Sequence, residues 1–464
     1  METVLAEIVA DKKIWVAARK EAQPLASFQD EITPSDRDMY AALGESQTSF
    51  ILECKKASPS KGLIRDHFDL DYIAGIYGRY ATAISVLTDE KYFQGDFEFI
   101  NQVRSQVNVP VICKDFMVDP YQVYLARYYQ ADAILLMLSV LDDQQYRELF
   151  DLAHSLNLNV LTEVSNQEEL ERAIALKAPL VGINNRNLRD LSVDLNRTKE
   201  LAPQLPEGVI VISESGINNH QQVRDIAQFA NGFLIGSSLM GEQDLERAVR
   251  RVLLGDNKVC GLTRPEDAIT AYQAGANYGG LIFVPQSKRV ISVNQAKEIK
   301  AAAPLSYVGV FQNQEINEVS QIAAALNLNV IQLHGDEDQQ YIDQLRDLLP
   351  KSTEIWKALA VSKQLPEFNY QQVDRYLLDS KVTQVIDNKT VTQTGGTGEV
   401  FDWQLISEEN KKQIMLAGGI SPENAKQASQ LACLGLDINS GAESAPGIKE
   451  SEKLTQIFSQ IRAY

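Results

Sequence analysis

The sequence of 464 residues has few of the side chains that build disulfide frameworks or metal sites. It contains four cysteines, none in a CxxC pair, and four histidines without the spacing of metal ligands. This distribution is typical of reduced thiols in a cytosolic protein and argues against a zinc framework. The positions are Cys54, Cys113, Cys260 and Cys433, and His67, His154, His220 and His334. We therefore expect a protein that needs no metal.

Long apolar segments and excess positive charge are also missing. The longest apolar run, residues 133–141 with one serine, is far shorter than the roughly 20 residues that span a bilayer. The N-terminal residues lack a basic region followed by an apolar core, so we expect no signal peptide. A net charge of −18 argues against a nucleic acid partner, because a phosphate polymer would be repelled. These absences predict a cytoplasmic protein that acts on small molecules.

The sequence does contain a regular alternation of short apolar runs with charged, helical stretches, eight in each half. Near-continuous apolar strands separated by helices predict parallel sheets that are covered on both faces. Eight such units close a (β/α)8 barrel, and each half is close to barrel size. A doubly wound open sheet is the alternative, but such sheets usually have fewer strands. We therefore predict the α/β class with two tandem (β/α)8 TIM barrels, whose first strands are residues 50–54 and 258–262.

Glycine-rich turns follow the last two predicted strands of each half. They are residues 213–216 and 235–238 in the first half, and 417–420 and 439–441 in the second, where a further turn lies at 395–398. Backbone N–H groups at such turns bind anions, and barrels place phosphate sites after their last two strands. No GxxxxGKS/T loop is present. The turns predict a site for a phosphorylated small molecule in each barrel.

The boundary between the two barrels is expected near Gly255. Residues 242–254 have a helical pattern with basic residues near its end, and Gly255 is a natural helix stop. We therefore expect a first domain of residues 1–255, with an N-terminal helical extension, and a second domain of residues 256–464. The short linker leads us to expect a monomer in which the two barrels dock.

Two segments do not fit the barrel repeat. Residues 1–47 are polar and helical, and the sequence leaves open whether they close the barrel bottom or cover the substrate. Residues 381–394 are long for a strand-to-helix loop. Their alternation around the polar residues 387–389 predicts a β-hairpin, which we expect to project over the second site.

Charged and amide side chains stand at the carboxyl ends of several predicted strands of the first half. One such residue alone is usually an ordinary surface group, but a barrel brings all strand ends to one mouth. Lysines and glutamates in one pocket shift one another's pKa values, as acid–base catalysis near neutral pH requires. The candidates are Glu53, Lys55, Lys114, Glu163, Asn184 and Glu214.

The segments around these candidates closely resemble indole-3-glycerol phosphate synthase over about residues 1–255. They are residues 51–62, 113–116, 163–164, 182–186 and 213–216. The resemblance implies closure of an indole ring from a phosphorylated carboxyphenylamino-deoxyribulose, with loss of CO2 and water. It implies Lys114 as general acid, Glu163 in proton transfer during dehydration, and Lys55 as ligand of the substrate carboxylate and a second candidate proton donor.

The same resemblance assigns Glu53, Asn184 and Glu214 to orienting the substrate and the lysines. The implied phosphate site consists of Ser60, Ser215, Gly216, Gly236 and Ser237. The division of acid and base duties stays open. Lys114 could instead form a Schiff base, as in barrel aldolases.

The candidates of the second half are Cys260, in its first predicted strand, and Asp379, at the end of the sixth. A lone strand cysteine is usually a core residue. Opposed across a barrel mouth, however, a thiolate and a carboxylic acid can move protons on two faces of a sugar phosphate. An aldose–ketose (Amadori) rearrangement needs this, because one group protonates the ring oxygen and the other removes the C2 proton.

The second half is similar to phosphoribosylanthranilate isomerase over about residues 256–464. The matching positions are 259–264, 279–283, 287–289, 332–335, 379, 395–398, 418–420 and 437–441. The resemblance implies Cys260 as general base, Asp379 as general acid and Arg289 as ligand of the anthranilate carboxylate. It places His334 near the substrate, although a structural histidine is an equal alternative. The implied phosphate contacts are Gly395, Gly396, Gly398, Gly418, Gly419, Ser440 and Gly441.

Together the resemblances imply two consecutive steps of tryptophan biosynthesis, without a metal or organic cofactor. The second half would convert N-(5-phosphoribosyl)anthranilate to 1-(2-carboxyphenylamino)-1-deoxyribulose 5-phosphate, and the first half would convert that to indole-3-glycerol phosphate. A phosphate-binding regulator on inactive barrels is an alternative, but it predicts missing acid–base residues. An interaction scaffold predicts large apolar or low-complexity stretches, which the sequence lacks.

Overall fold

The computed structural model describes residues 4–45, 47–187, 191–386, 389–394, 400–407 and 409–464. The chain divides into two compact units, Met1–Asn218 with Asp225–Val249 and Asn219–Arg224 with Arg250–Tyr464. Each unit is built around a closed ring of eight parallel strands. The prediction of two tandem (β/α)8 barrels is confirmed, and the open-sheet alternative is wrong.

The first barrel consists of strands that are almost wholly buried, as parallel strands between helices must be. They are β1 Ser49–Cys54, β2 Ala83–Leu87, β3 Val111–Lys114, β4 Ala133–Met137, β5 Asn159–Val164, β6 Leu180–Asn184, β7 Ile210–Glu214 and β8 Gly232–Ile235. The ring closes in the order β1-β8-β7-β6-β5-β4-β3-β2. All eight carboxyl ends therefore meet at one mouth.

The helices around these strands begin where the sequence provides caps. Asp142 and Gln145 form a capping box at one start, and Asp119 caps another that opens with Pro120. The helices before the second barrel are α1 Val4–Ala22, α2 Met39–Leu43, α3 Leu70–Tyr80, α4 Glu90–Phe93, α5 Glu98–Arg104, α6 Pro120–Tyr128, α7 Asp143–Ser155, α8 Gln167–Ala175, α9 Asn196–Leu201, α10 His220–Ile226, α11 Ser237–Met240 and α12 Leu245–Leu254.

The first two helices, α1 and α2, lie at opposite ends of the first barrel. Helix α2 closes the amino end, since Met39 and Leu43 join the barrel core and the Tyr40 N–H donates to Asn159 Oδ1 at 3.3 Å. Helix α1 borders the mouth instead. Lys12, only 3% exposed, is held 2.7 Å from each of two carboxylates that follow β2 and β3, Asp89 and Asp115. The position of α2 supports the closing role, and the position of α1 leaves the covering of substrate as a prediction.

The second barrel closes through the pairing of its fifth and sixth strands. Its strands are β9 Lys258–Val259, β10 Tyr278–Ile282, β11 Ser306–Phe311, β12 Val330–Leu333, β13 Glu354–Val361, β14 Arg375–Ile386, β15 Lys389–Thr394, β16 Ile414–Leu416 and β17 Gly435–Ile438. Strand β15 stands outside the ring and pairs antiparallel with the end of β14, from Lys381↔Thr394 to Ile386↔Lys389. The predicted hairpin is confirmed.

Strand β9 is shorter than predicted, because Gly261 has a φ of +70°. The left-handed turn brings other parts of the mouth close. A Cβ at this position would lie 2.6 Å from Arg289 Cδ and 2.8 Å from Asn439 Oδ1. Only glycine combines this φ with this close approach.

The helices of the second barrel are α13 Pro265–Ala274, α14 Val293–Ala302, α15 Ile316–Leu326, α16 Gln339–Leu348, α17 Ala425–Gln430 and α18 Ser451–Arg462. Between the hairpin and β16 the described residues contain two 3₁₀ turns, Trp403–Leu405 and Lys411–Gln413. Two small antiparallel ribbons lie outside the barrels' rings, Ala57–Ser58 with Gly62–Leu63 and Glu443–Ala445 with Ile448–Lys449. Within the described part of the chain, none of the helices has the length and apolar character to cross a membrane.

Candidate active sites

The mouth of the first barrel brings all six predicted polar residues together. Lys114, the last residue of β3, places its Nζ 2.7 Å from Glu214 Oε2 and 3.7 Å from Glu163 Oε2. Asn184 donates to Glu163 Oε1 at 3.1 Å. Lys55 forms an ion pair with Glu53. The site is a ring of two lysines, three glutamates and one asparagine.

Two glycines make room for the buried carboxylates of this ring. Gly182 lies in β6 beside Glu214, and a Cβ there would collide with Glu214 Oε1. Gly236 follows β8, and a Cβ there would lie 2.5 Å from Glu53 Oε1. Both glutamates are 2% exposed. Because these two glycines have no side chain, the carboxylates of Glu214 and Glu53 can occupy the barrel interior.

Burial and charge set the protonation of the pair at the centre of the mouth. Burial raises the pKa of Glu163 to about 8, and the nearby carboxylate of Glu214 adds to the rise. Burial opposes the charged form of Lys114, but the surrounding carboxylates, Glu214 foremost, outweigh it and raise its pKa. Glu163 can therefore hold a proton near neutral pH, whereas Lys114 stays a cation.

A cavity of about 390 Å³ opens over this ring. The apolar residues Val4, Leu5 and Ile8 of α1 line one side, with Phe93 and Phe116 nearby. The lining also contains all five predicted phosphate residues, Ser60, Ser215, Gly216, Gly236 and Ser237. The same cavity thus brings together apolar side chains, the polar ring and the predicted phosphate residues.

The turn after β7 has the conformation of an anion site. Ser215 and Gly216 have φ values of +67° and +87°, so consecutive backbone groups turn in the manner of a nest. A Cβ at Gly216 would collide with Val193 Cγ1 of the preceding loop. Sequence analysis assigned no role to this loop or to Phe93, since their place at the mouth depends on the closed barrel.

The second mouth contains Cys260, His334 and Asp379. His334 Nε2 lies 3.7 Å from Asp379 Oδ2, and its Nδ1 lies 3.2 Å from Gln332 Nε2. Burial lowers the pKa of His334 to about 4, and the positive charge of Lys258 contributes. The imidazole is therefore neutral at pH 7 and contacts the acid residue without forming an ion pair with it.

The two predicted proton-transfer residues of this mouth are buried and electrostatically linked. Burial raises the pKa of Asp379 to about 6, and the negative charge of Asp437 adds to the rise. Burial also raises the pKa of the Cys260 thiol, while the charge of Lys258 opposes it. Asp379 can thus carry a proton below about pH 6, as a general acid requires.

Arg289 is held at the mouth by a carboxylate of the chain itself. Its Nη2 lies 2.7 Å from Glu443 Oε2, and its Nε lies 2.9 Å from Glu443 Oε1. Lys449 Nζ donates to the same Oε1 at 2.7 Å. Sequence reasoning missed Glu443 and Lys449, although both follow the predicted phosphate turn. Two N–H groups of the guanidinium hold the Glu443 carboxylate in a bidentate ion pair, which fixes the orientation of Arg289.

The described part of the predicted second phosphate site consists of two turns in contact. Gly418 and Gly419 follow β16 with φ values of +88° and +63°. Gly441, next to Ser440 after β17, packs so closely on the Ile420 carbonyl that a Cβ would not fit. The predicted residues Gly395, Gly396 and Gly398 lie outside the described residues.

Comparison with known proteins separates the same two halves. The family of indole-3-glycerol phosphate synthase matches residues 5–252, and that of N-(5'-phosphoribosyl)anthranilate isomerase matches residues 257–460. The tryptophan biosynthesis protein TrpCF of Vibrio cholerae is 62% identical over 100% of this chain and 97% of its own. TrpCF of Salmonella typhi is 61% identical over 100% of both chains. The chain belongs to the TrpCF family.

The chain thus joins a domain of the synthase family to a domain of the isomerase family. Each mouth contains its own set of candidate acid–base residues and its own glycine-rich turns. Among the residues that the structure describes, no group of three or more His, Cys, Asp or Glu side chains is arranged to hold a metal ion.

Proposed function

We infer that the chain is a bifunctional enzyme of tryptophan biosynthesis. The second barrel isomerises N-(5-phosphoribosyl)anthranilate to 1-(2-carboxyphenylamino)-1-deoxyribulose 5-phosphate, and the first closes the indole ring with loss of CO2 and water. The observation that carries this inference is a separate acid–base cluster at each mouth, in a chain whose full-length relatives are TrpCF proteins. We assign residues 1–255 to the synthase and residues 256–464 to the isomerase.

In the first barrel, Lys114 is the general acid of ring closure. Its ammonium donates a proton to the ketone oxygen as the aromatic carbon that bears the carboxylate attacks the carbonyl carbon. Lys55 pairs with that carboxylate until CO2 leaves. Glu163, whose pKa lies near 8, then protonates the departing hydroxyl at neutral pH, and the resulting carboxylate takes the proton from the neighbouring ring carbon as the indole double bond forms. A lysine kept cationic by the surrounding carboxylates, Glu214 foremost, is a poor nucleophile, which disfavours the Schiff-base alternative.

Three polar residues and the phosphate turns hold the substrate for these steps. Glu53 orients Lys55, while Asn184 and Glu214 orient Glu163 and Lys114. The phosphate binds between the turns after β7 and β8 and Ser60, which line the same cavity. The anthranilate ring faces the apolar side chains of the lining, which include Phe93 and Phe116.

In the second barrel, Asp379 is the general acid and Cys260 the general base. Asp379 protonates the furanose ring oxygen, which opens the sugar to an iminium ion. Cys260 then removes the C2 proton, and the enolamine becomes the ketose. Arg289 binds the anthranilate carboxylate, and the turns at Gly418–Gly419 and Ser440–Gly441, with residues 395–398, bind the phosphate. His334 contacts Asp379 and supports its orientation.

Substitutions in each barrel test this division of labour. Lys114→Ala should abolish ring closure and spare isomerisation, whereas Cys260→Ser and Asp379→Asn should do the reverse. Each activity is measured by substrate fluorescence with its own substrate, and the exposed Lys13→Ala is the control. A folded variant that loses both activities would contradict two independent sites. Covalent trapping of substrate on Lys114 by borohydride would support the aldolase alternative.

We also propose a cytoplasmic monomer in which the two barrels dock. The short linker of the sequence supports docking, and the four dispersed cysteines without a CxxC pair support a cytoplasmic location. Sedimentation equilibrium tests the oligomeric state, and NMR relaxation tests docking. Independent tumbling of the two barrels would contradict it.

A further inference from the structure

A buried ion pair lies in the second barrel that none of the proton-transfer steps uses. Lys258 opens β9 and is 0% exposed, with its Nζ 2.8 Å from Asp437 Oδ2 of β17. The two residues are direct partners in the ladder between these strands. A lysine in the interior is costly, and a well-packed apolar pair of similar volume is often no less stable. The charges therefore call for an explanation beyond packing.

Lys258 shares its space with the candidate base. Cys260 is two residues further along the chain, and its N–H continues the ladder to Ile438 O at 2.8 Å, so both side chains project to the same face. The side chains of Lys258 and Cys260 meet beside Gly280 of β10. A Cβ there would lie 2.6 Å from Cys260 Sγ and 3.0 Å from Lys258 Cε. The absent side chain of Gly280 leaves the room that the thiol and the lysine stem occupy together.

Asp437 connects the pair to the candidate acid. Its Oδ1 is buried and has no hydrogen-bond partner among the described residues. The negative charge of Asp437 helps to raise the pKa of Asp379. It also acts to raise the pKa of His334, against the stronger lowering by burial. The pair thus stands between the two ends of the proton-transfer system, with its cation at the thiol and its anion towards the carboxyl group.

We propose that Lys258 is a positioning residue of the isomerase that stabilises the thiolate form of Cys260, while Asp437 holds Lys258 in place and disfavours ionisation of Asp379. This rests on the proposed isomerase function. A base must lose its proton while the acid keeps its own. In the oriented ion pair, Lys258 acts more strongly on Cys260 and Asp437 more strongly on Asp379, so the nearer charge outweighs the opposing charge of its partner at each group. The other charged groups facing this region are Arg289, Glu337, Lys357, Glu443 and Lys449.

The test removes both charges at once, so that neither is left buried alone. The double variant K258M/D437N replaces the ion pair by neutral side chains, and the exposed Lys297→Met is the control in the same barrel. Alkylation of Cys260 by iodoacetamide is followed from pH 6 to 11 by peptide-resolved mass spectrometry in the full chain. Circular dichroism and the melting temperature confirm folding.

We expect the alkylation midpoint of Cys260 to rise by at least one pH unit, which lowers its alkylation rate at pH 7.5 about tenfold. The isomerase kcat should fall about tenfold or more with KM changed less than about threefold, because a smaller fraction of Cys260 is present as the thiolate base. The ascending limb of the pH–rate profile should shift upwards with the thiol. The Lys297→Met variant should match the unmodified chain in all three readouts.

An unchanged alkylation profile in folded K258M/D437N would overturn the proposal, even if isomerase activity were lost. The alkylation readout does not depend on the substrate, so it separates this proposal from the function on which it rests. If the unmodified chain failed to isomerise phosphoribosylanthranilate, the proposed function would fail. A shifted alkylation midpoint would then still show that the ion pair acts on the Cys260 thiol, but the role of that effect in isomerisation would be refuted.

Discussion

Replacement of Glu163 by glutamine tests the electrostatics of the first mouth most sharply. The carboxyl group has a folded-state pKa of about 8 against an ordinary value of 4.5, mainly because it is buried. Between these values the folded chain keeps a proton that the unfolded chain has lost. The free energy of unfolding therefore falls as pH rises, by about 1.4 kcal/mol per pH unit for this one group.

Glutamine cannot ionise, so Glu163→Gln should remove this slope. From pH 5.5 to 7.5 the variant should gain about 3 kcal/mol relative to the unmodified chain. Hydrogen exchange of peptides from β5, β6 and β7 measures this free energy locally in the full chain. Glu168→Gln, at an exposed position on α8, is the matched control and should show no such gain.

The same substitution should lower the synthase kcat by about 10²–10⁴-fold, because an amide cannot transfer the proton. The isomerase rate of the second barrel reports that the rest of the chain is intact. A stability difference that does not change with pH would refute the assigned protonation of Glu163. A synthase rate within about threefold of the unmodified chain would refute its part in catalysis.

Three further substitutions test other features of the two mouths. Lys12→Met leaves two buried carboxylates unpaired and should destabilise the first barrel by about 3–5 kcal/mol in hydrogen exchange, while exposed Lys13→Met should not. Gly182→Ala should push the neighbouring carboxylate from Lys114 and lower synthase kcat about 10²-fold or more, while Gly75→Ala, at an open position, should leave both rates unchanged. The isomerase kcat/KM should stop rising with pH at about 6, because above this pH the loss of the Asp379 proton offsets the gain of Cys260 thiolate, and any residual rate of Asp379→Asn should keep rising.

The barrel strands and the hairpin could be predicted because their signals are local. Apolar runs of strand length and the alternation in residues 381–386 and 389–394 are visible in the sequence itself. The six polar residues of the first mouth could be grouped for a related reason. Each follows a predicted strand or lies at its end, and barrel closure places all strand ends together.

The remaining features depend on contacts between distant parts of the chain. Lys12 meets Asp89 and Asp115 only once α1 lies at the mouth, and helical polarity does not say which end of a barrel it borders. Arg289 and Glu443 are 154 positions apart. The early end of β9 follows from the left-handed φ of Gly261, which a run of strand-like residues does not reveal.

Mixing two inactivated chains tests most directly that one polypeptide carries two independent, consecutive activities. Phosphoribosylanthranilate is supplied as the sole substrate, and the products are identified by mass spectrometry. Lys114→Ala alone should stop at the carboxyphenylamino-deoxyribulose phosphate, and Cys260→Ser alone should leave the substrate unconverted. The mixture should form indole-3-glycerol phosphate, because the intermediate made by one chain reaches the intact synthase of the other. Absence of that product from the mixture, with both variants folded, would contradict the account.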